Sequence, residues 1–185
     1  MEATIRTAID DIRSADADRR YHAFILLQRI TDAPVDWAYE VWDVLLALTK
    51  DKNNHIRAIS TQLLCNLAKS DPKNRMVADF DTVMAVTRDK MFVTARHTLQ
   101  ALWKVAAVGG KQRPLVLGRL TDWYGACVSH KNCTLIRYDI IVSLRALYDA
   151  LTQDAAVKRL ALDLIETEPD LKYRKKYAGV WRKSA

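Results

Sequence analysis

The chain has 185 residues, of which only 5 are Gly and 4 are Pro, about half the average usage of the pair. So few turn-formers exclude a sandwich or barrel with a hairpin every ten residues, and an apolar content of 50% suffices for a buried core. The formal charge of +7 is uneven: residues 1 to 90 carry 13 Lys and Arg against 14 Asp and Glu, and residues 91 to 185 carry 16 against 8.

Helical periodicity runs the length of the chain, with no stretch of period-2 alternation long enough to be a strand. It is interrupted at SADAD (14 to 18), TDAP (31 to 34), KDKNN (50 to 54), SDPKN (70 to 74), GGKQRP (109 to 114), HKN (130 to 132), TQD (152 to 154) and TEPD (167 to 170). These clusters supply candidate N-caps (Asp18, Asn54, Asp154, Asp170) and breakers such as Gly109, Gly110 and Pro169. About ten helices result. The first, over residues 2 to 14, places Ile5, Ile9 and Ile12 on one face.

Four segments then align on one template, beginning at Arg19, Ile56, Thr94 and Ile136, 37, 38 and 42 residues apart. Each is followed by a turn and a second amphipathic helix, as in a stacked helix-pair repeat. Positions 1, 5, 8, 9 and 12 of each segment share a face: Arg19, Ala23, Leu26, Leu27 and Ile30; Ile56, Ser60, Leu63, Leu64 and Leu67; Thr94, Thr98, Ala101, Leu102 and Val105; Ile136, Ile140, Ser143, Leu144 and Leu147. The expected organisation is one domain over 1–185, with repeats at 17–50, 54–89, 91–128 and 133–168. A cap helix at each end, 2–14 and 170–183, completes it. In the last helix Tyr173, Tyr177, Val180 and Trp181 share a side, and Lys172, Arg174, Lys175, Lys176, Arg182 and Lys183 form the polar remainder, either as a solvated face or as an electrostatic contact.

Ile56-Arg57 through Leu63-Leu64-Cys65-Asn66-Leu67 and Ile136-Arg137 through Ser143-Leu144-Arg145-Ala146-Leu147 resemble the first-helix pattern of HEAT repeats, over about residues 17 to 168. The second-position Arg recurs as Arg20, Arg57 and Arg137 and is displaced to Arg96 in the third unit. The resemblance implies an all-α, right-handed α-α superhelix whose second helices line a concave binding surface. It also implies an arginine ladder, Arg20, Arg57 and Arg137, bonding to acidic groups of neighbouring repeats.

Chemistry-bearing constellations are few. Cys127, His130 and Cys133 are spaced to approach one metal ion, but the second ligand pair of a closed zinc site is missing. Three cysteines do not indicate a disulfide framework, and the pair reads as thiols. No Gly-rich phosphate loop, HExxH motif or hydrolytic triad occurs, so neither cofactor nor metal is expected. The second helices offer aromatics beside charges. Trp37, Val41, Val44, Leu45 and Leu48 form the expected core stripe of the first, leaving Tyr39, Trp42 and Asp43 towards the exposed side. Arg113, Arg119 and Asp122, near Trp123 and Tyr124, follow in the third, and Lys158 and Arg159 in the fourth. With Lys172, Lys175 and Lys176 these are the candidate binding residues. Wide packing explains the same aromatics, and an aromatic and basic surface also suits nucleic acid. The Trp42-Asp43 and Asp122-Trp123 pairs loosely resemble HEAT-like alkylpurine DNA glycosylases, which would imply base-excision activity.

The expectation is therefore a non-catalytic cytoplasmic scaffold, monomeric, that binds an acidic protein partner and no membrane. Nucleic-acid binding is the alternative.

Overall fold

The computed structural model describes residues 1–182. Lys183, assigned above to the last helix, lies outside the described residues. Among those described, all regular structure is helical: α1 (Ala3–Asp11), α2 (Ala17–Ile30), α3 (Ala38–Leu48), α4 (Asn54–Leu67), α5 (Arg75–Ala85), α6 (Phe92–Ala101), α7 (Trp103–Ala107), α8 (Gln112–Ala126), α9 (Cys133–Ala150), α10 (Ala155–Glu166) and α11 (Leu171–Arg182). Short 3-10 turns extend α4, α5 and α8.

The helix starts are set by side chains that accept the orphan N–H groups of the first turn. Asp16 accepts from Asp18 and Arg19 at the head of α2, and Asn53 from His55 at the head of α4. These caps stand two and one residues before the expected Asp18 and Asn54. Asp154 caps α10 through Ala156 and Val157, and Asp170 accepts from Lys172 at the head of α11, both as expected. Gly109 and Gly110 both have positive φ, 86° and 47°, a region glycine enters without a Cβ penalty, so the chain reverses there between α7 and α8.

The chain forms two compact units, Met1–Thr98 and a second from Leu99 onward, with α6 carrying the chain from one into the other. In the first unit α1 packs on α2, α2 and α3 on α4, and α3 on α5. Asn66, fully buried on α4, donates to Thr31 Oγ1 at 3.0 Å, which sets α4 against the end of α2. In the second unit α7 packs on α8 and α9, and α9 on α8, α10 and α11. Here the buried Asp139 accepts from Gln100 at 2.9 Å.

All template positions of the second, third and fourth segments are buried, including Ser60, Thr94, Thr98 and Ser143. In the first segment Arg19 and Leu26 are exposed, on the α1–α2 side of the first unit. Ser60 and Thr98 suit the interior because each returns its O–H to a carbonyl one turn back, of Arg57 and of Thr94, and Thr94 donates to the Asn54 carbonyl at 3.1 Å.

A second periodic feature lies in the turns. Three residues before α2, α4, α6, α9 and α11 stand Ser14, Asp51, Asp89, His130 and Glu168, 37, 38, 41 and 38 residues apart. Each side chain accepts the backbone N–H two residues on, of Asp16 (3.1 Å), Asn53 (2.7 Å), Met91 (2.8 Å), Asn132 (3.1 Å) and Asp170 (3.1 Å). Four different side chains thus perform one local task, because each places an acceptor at the same reach. α11 therefore opens as a fifth first-type helix opens.

The repeated arginine works on this same turn. Arg20, Arg57 and Arg174, each the fourth residue of its helix, donate to the carbonyl six residues back, on Ser14 (2.7 Å), Asp51 (2.8 Å) and Glu168 (2.7 Å). Arg57 and Arg137 also reach forward. Arg57 forks onto Asp89 at 2.5 and 2.8 Å, and Arg137 donates to Glu168 at 2.9 Å and to the Tyr124 carbonyl at 3.1 Å. The carboxylates lie 32 and 31 residues on, just past the second helix of the arginine's own repeat. The expected ladder between neighbouring repeats is thus corrected for Arg57 and Arg137: each closes its own helix pair, because one pair returns the chain to the height at which it began. Arg20 holds the Ser14 and Ala15 carbonyls.

Burial raises the Asp89 carboxyl, but the hydrogen bond from Arg57, the Met91 N–H and the neighbouring positive charges outweigh it and hold the group below its ordinary value. With side chains 10% and 7% exposed, Arg57 and Asp89 form a buried pair, and removing one partner strands the other. Asp89→Asn should therefore cost roughly 3–5 kcal/mol in urea unfolding at pH 7. Since the folded carboxyl titrates below the unfolded value of 3.8, its stabilisation is complete above that pH and lost as pH falls through the folded value. The gap between wild type and Asp89→Asn should accordingly close in acid.

Candidate binding surface

In the first unit, α3 and α5 gather a polar cluster. Trp42 is fully buried and donates Nε1–H to Asp79 at 2.9 Å. Arg75 donates to Asp79 at 3.0 Å, pairs with Asp43, and lies 5.8 Å from the Trp42 ring centroid. The Tyr39 hydroxyl donates to Asp71 and accepts the Lys73 N–H at 3.0 Å. Asp71 also caps α5 through the N–H groups of Arg75 and Met76. Burial, then the bond to Asp71, raises the Tyr39 hydroxyl above its ordinary value, and the Arg75 hydrogen bond lowers the Asp43 carboxyl.

This corrects the expected face. Trp42 belongs to the core, whereas Val44, expected in the stripe, is 39% exposed. α3 is covered by α4 on one side and α5 on the other, so its buried arc is wider than one stripe and takes in Ala38 and Trp42. Tyr39 and Asp43 are occupied by Asp71 and Arg75. The cluster closes on itself and joins two helices.

In the second unit Trp123 and Tyr124 are buried, 7% and 1% exposed. Burial pushes the Tyr124 hydroxyl up to about 12. Arg119 and Asp122 lie on the exposed side of α8, and Arg113 reaches Asp154 at 3.6 Å and the Ala106 carbonyl at 3.3 Å. The Asp122-Trp123 and Trp42-Asp43 pairs thus each set a buried indole beside an exposed carboxylate.

The turn after α8 differs from the expected thiols. Cys127 and Cys133 are joined in a disulfide with Cα atoms 5.1 Å apart, because the 3-10 turn at Cys127–Ser129 folds the chain back before α9 begins. His130 holds the Asn132 N–H and sets its ring edge-on to Trp123, with centroids 6.2 Å apart. Among the described residues no group of three or more His, Cys, Asp or Glu is arranged to hold a metal ion.

The remaining candidates lie on α10 and α11. Lys158, Arg159, Lys172, Lys175 and Lys176 are exposed. Lys176 sits 4.8 Å from the centroid of the Tyr138 ring and Lys172 5.6 Å from that of Tyr173. Beside them Arg145 stacks on both Tyr148 and Trp181, at 5.4 and 5.6 Å. Tyr177 is fully buried and donates to the Thr134 carbonyl at 2.7 Å, which anchors α11 to the start of α9. The signal that sequence reading missed here was on α9: Tyr138, Arg145 and Tyr148 fall three to seven residues apart on a helix and meet α11 along one side.

No family model matches the chain, and no curated protein matches it in sequence. Solved structures do match in fold. Two crystal structures of engineered proteins from a structural genomics consortium align over 97% of this chain and 78% and 79% of theirs, at TM-scores of 0.56 and 0.55, each with 14% identity. A designed armadillo repeat protein aligns over 96% of this chain and 98% of its own, at TM-score 0.50 and 12% identity. The fold is all-α and of the helical-repeat kind, with no helix among the described residues long and apolar enough to cross a membrane.

If Trp42 serves the core, Trp42→Ala should lower stability by about 3–5 kcal/mol, and Asp43→Ala should leave the thermal midpoint nearly unchanged. Parallel thermal melts check both; a stable Trp42→Ala protein would return this residue to the list of surface candidates.

Proposed function

We propose that the protein is a non-catalytic binding scaffold whose second unit engages an acidic protein partner. The observation that supports this is the separation of charge by use. In the first unit Arg57 and Arg75 are committed to internal carboxylates. On α10 and α11, Lys158, Arg159, Lys172, Lys175 and Lys176 are exposed, and among the described residues none is ion-paired. α11 carries no Asp or Glu, and an excess of solvated positive charge on a helical surface attracts and orients an oppositely charged partner at little ordering cost.

The units are read as HEAT-like, supported by the Ile-Arg and Leu-Leu phrases of α4 and α9 and by the likeness to helical-repeat folds. The internal closure of the Trp42, Asp43 and Arg75 cluster supports binding over base excision.

The test is fluorescence anisotropy with a labelled 15-residue Glu-rich peptide, beside a labelled DNA duplex. The peptide should bind, and replacing Lys172, Lys175 and Lys176 together by Glu should weaken it at least tenfold. Duplex affinity exceeding that of the peptide at ~150 mM salt and falling log-linearly as salt rises would instead assign the surface to nucleic acid.

A further inference from the structure

The Cys127–Cys133 disulfide joins residues only six apart. A tie over so short a span restrains the unfolded chain less than one between distant elements, so its main effect falls on the turn that it closes. Cys127 directly follows α8, and Cys133 is the first residue of α9.

Two holds of the second unit begin at this turn. The Thr134 carbonyl, next to Cys133, accepts the Tyr177 hydroxyl of α11 at 2.7 Å. The Tyr124 carbonyl accepts Arg137 Nε at 3.1 Å, and Cys127 Sγ stands 3.4 Å from that same oxygen. Arg137 in turn holds Glu168, which accepts the Asp170 N–H at the head of α11. The disulfide therefore steadies two carbonyls on which the Arg137 clasp and the seating of α11 depend.

The two sulfurs are not equivalent. Cys127 is fully buried, whereas Cys133 is half-buried and opens an 18-residue helix. In exchange a thiolate attacks one sulfur and the other leaves, so an external thiolate reaches Cys133 and expels Cys127. The N–H groups of the first turn of α9 favour a thiolate on Cys133, and the exposed Lys131 adds positive charge two residues away.

We propose that Cys127 and Cys133 form a reversible redox lock, exchanged at Cys133 with a small-molecule thiol and its disulfide, whose closed form holds the head of α9 and so secures α11. In opening, a thiolate bonds to Cys133 Sγ, the Cys127–Cys133 bond breaks, and the electron pair leaves on Cys127 Sγ, which takes up a proton and donates it to the Tyr124 carbonyl. A second thiolate attacks the small-molecule sulfur of this mixed disulfide, releasing the small-molecule disulfide and the Cys133 thiolate. The protein disulfide gains the two electrons that the two small thiols lose. Closing runs in reverse, with Cys127 displacing the small thiol from Cys133. The lock does not depend on which partner the basic surface binds.

Glutathione is the probe. The intact protein is equilibrated at a series of ratios of reduced to oxidised glutathione, then quenched in acid, unfolded, alkylated and mapped by mass spectrometry, with Cys65 as the reference thiol. Amide exchange is followed at the same ratios. Cys127 and Cys133 should pass together from disulfide to thiol within the series. Reduction should speed exchange in residues 133–137 and 171–178 by roughly tenfold or more while 112–120, on α8, stays unchanged. Cys133→Ser should exchange fast at every ratio, and Cys127→Ser should collect one glutathione, on Cys133. If Cys127→Ser fails to fold, the adduct trapped early in exchange on the wild-type protein makes the same assignment. A pair that stays disulfide in excess reduced glutathione, or thiol in excess oxidised glutathione, would overturn the lock. So would an adduct on Cys127, exchange in α11 that ignores the redox state, or equal acceleration of 112–120, which marks unfolding of the whole unit.

Discussion

A buried guanidinium must be paired, and in this chain that requirement sets the repeat. Arg57 and Arg137 each sit in the first turns of a helix, nearly out of solvent, and each is paired with a carboxylate that arrives 32 or 31 residues later. That interval accommodates one long helix, a turn and a second helix. The same turn that supplies the carboxylate also caps the next helix: Asp89 holds the Met91 N–H, and Glu168 holds that of Asp170. One residue therefore ends a pair and begins its successor, so a loss at this point affects two elements at once.

The turn before α9 shows how much latitude this device has. His130 occupies the place of Asp51, Asp89 and Glu168 and still accepts the N–H two residues on. An imidazole offers no carboxylate to an arginine, and this turn also carries the Cys127–Cys133 disulfide. Local capping is preserved with a different acceptor, and a disulfide joins residues six apart between the ends of α8 and α9.

Charge follows from the same economy of pairing. Arg20, Arg57, Arg137 and Arg174 on first helices have carboxylate or carbonyl partners, because leaving them unpaired would be costly. Exposed lysines on α10 and α11 pay no such cost in water, and on α11 they stand beside Tyr173 and Trp181, which are half-buried.

The sequence by itself determined the class and spacing of the elements. Few Gly and Pro, the 3.6-residue period, and the recurrence of Arg20, Arg57 and Arg137 were enough to read an all-α chain of helix pairs, because helix formation and turn placement are local. Which positions are buried was legible for α4 and α9, whose template positions all lie in the core. It was not legible for α3, where packing on two sides drew Trp42 inward and left Val44 out. Only the tertiary structure decided the partners: that Arg57 and Arg137 clasp the end of their own pair, that Cys127 and Cys133 meet, and that the turn before α11 is held as the turn before α4 is. Each of these depends on residues separated by turns whose geometry brings distant side chains to one height, and no local periodicity records that.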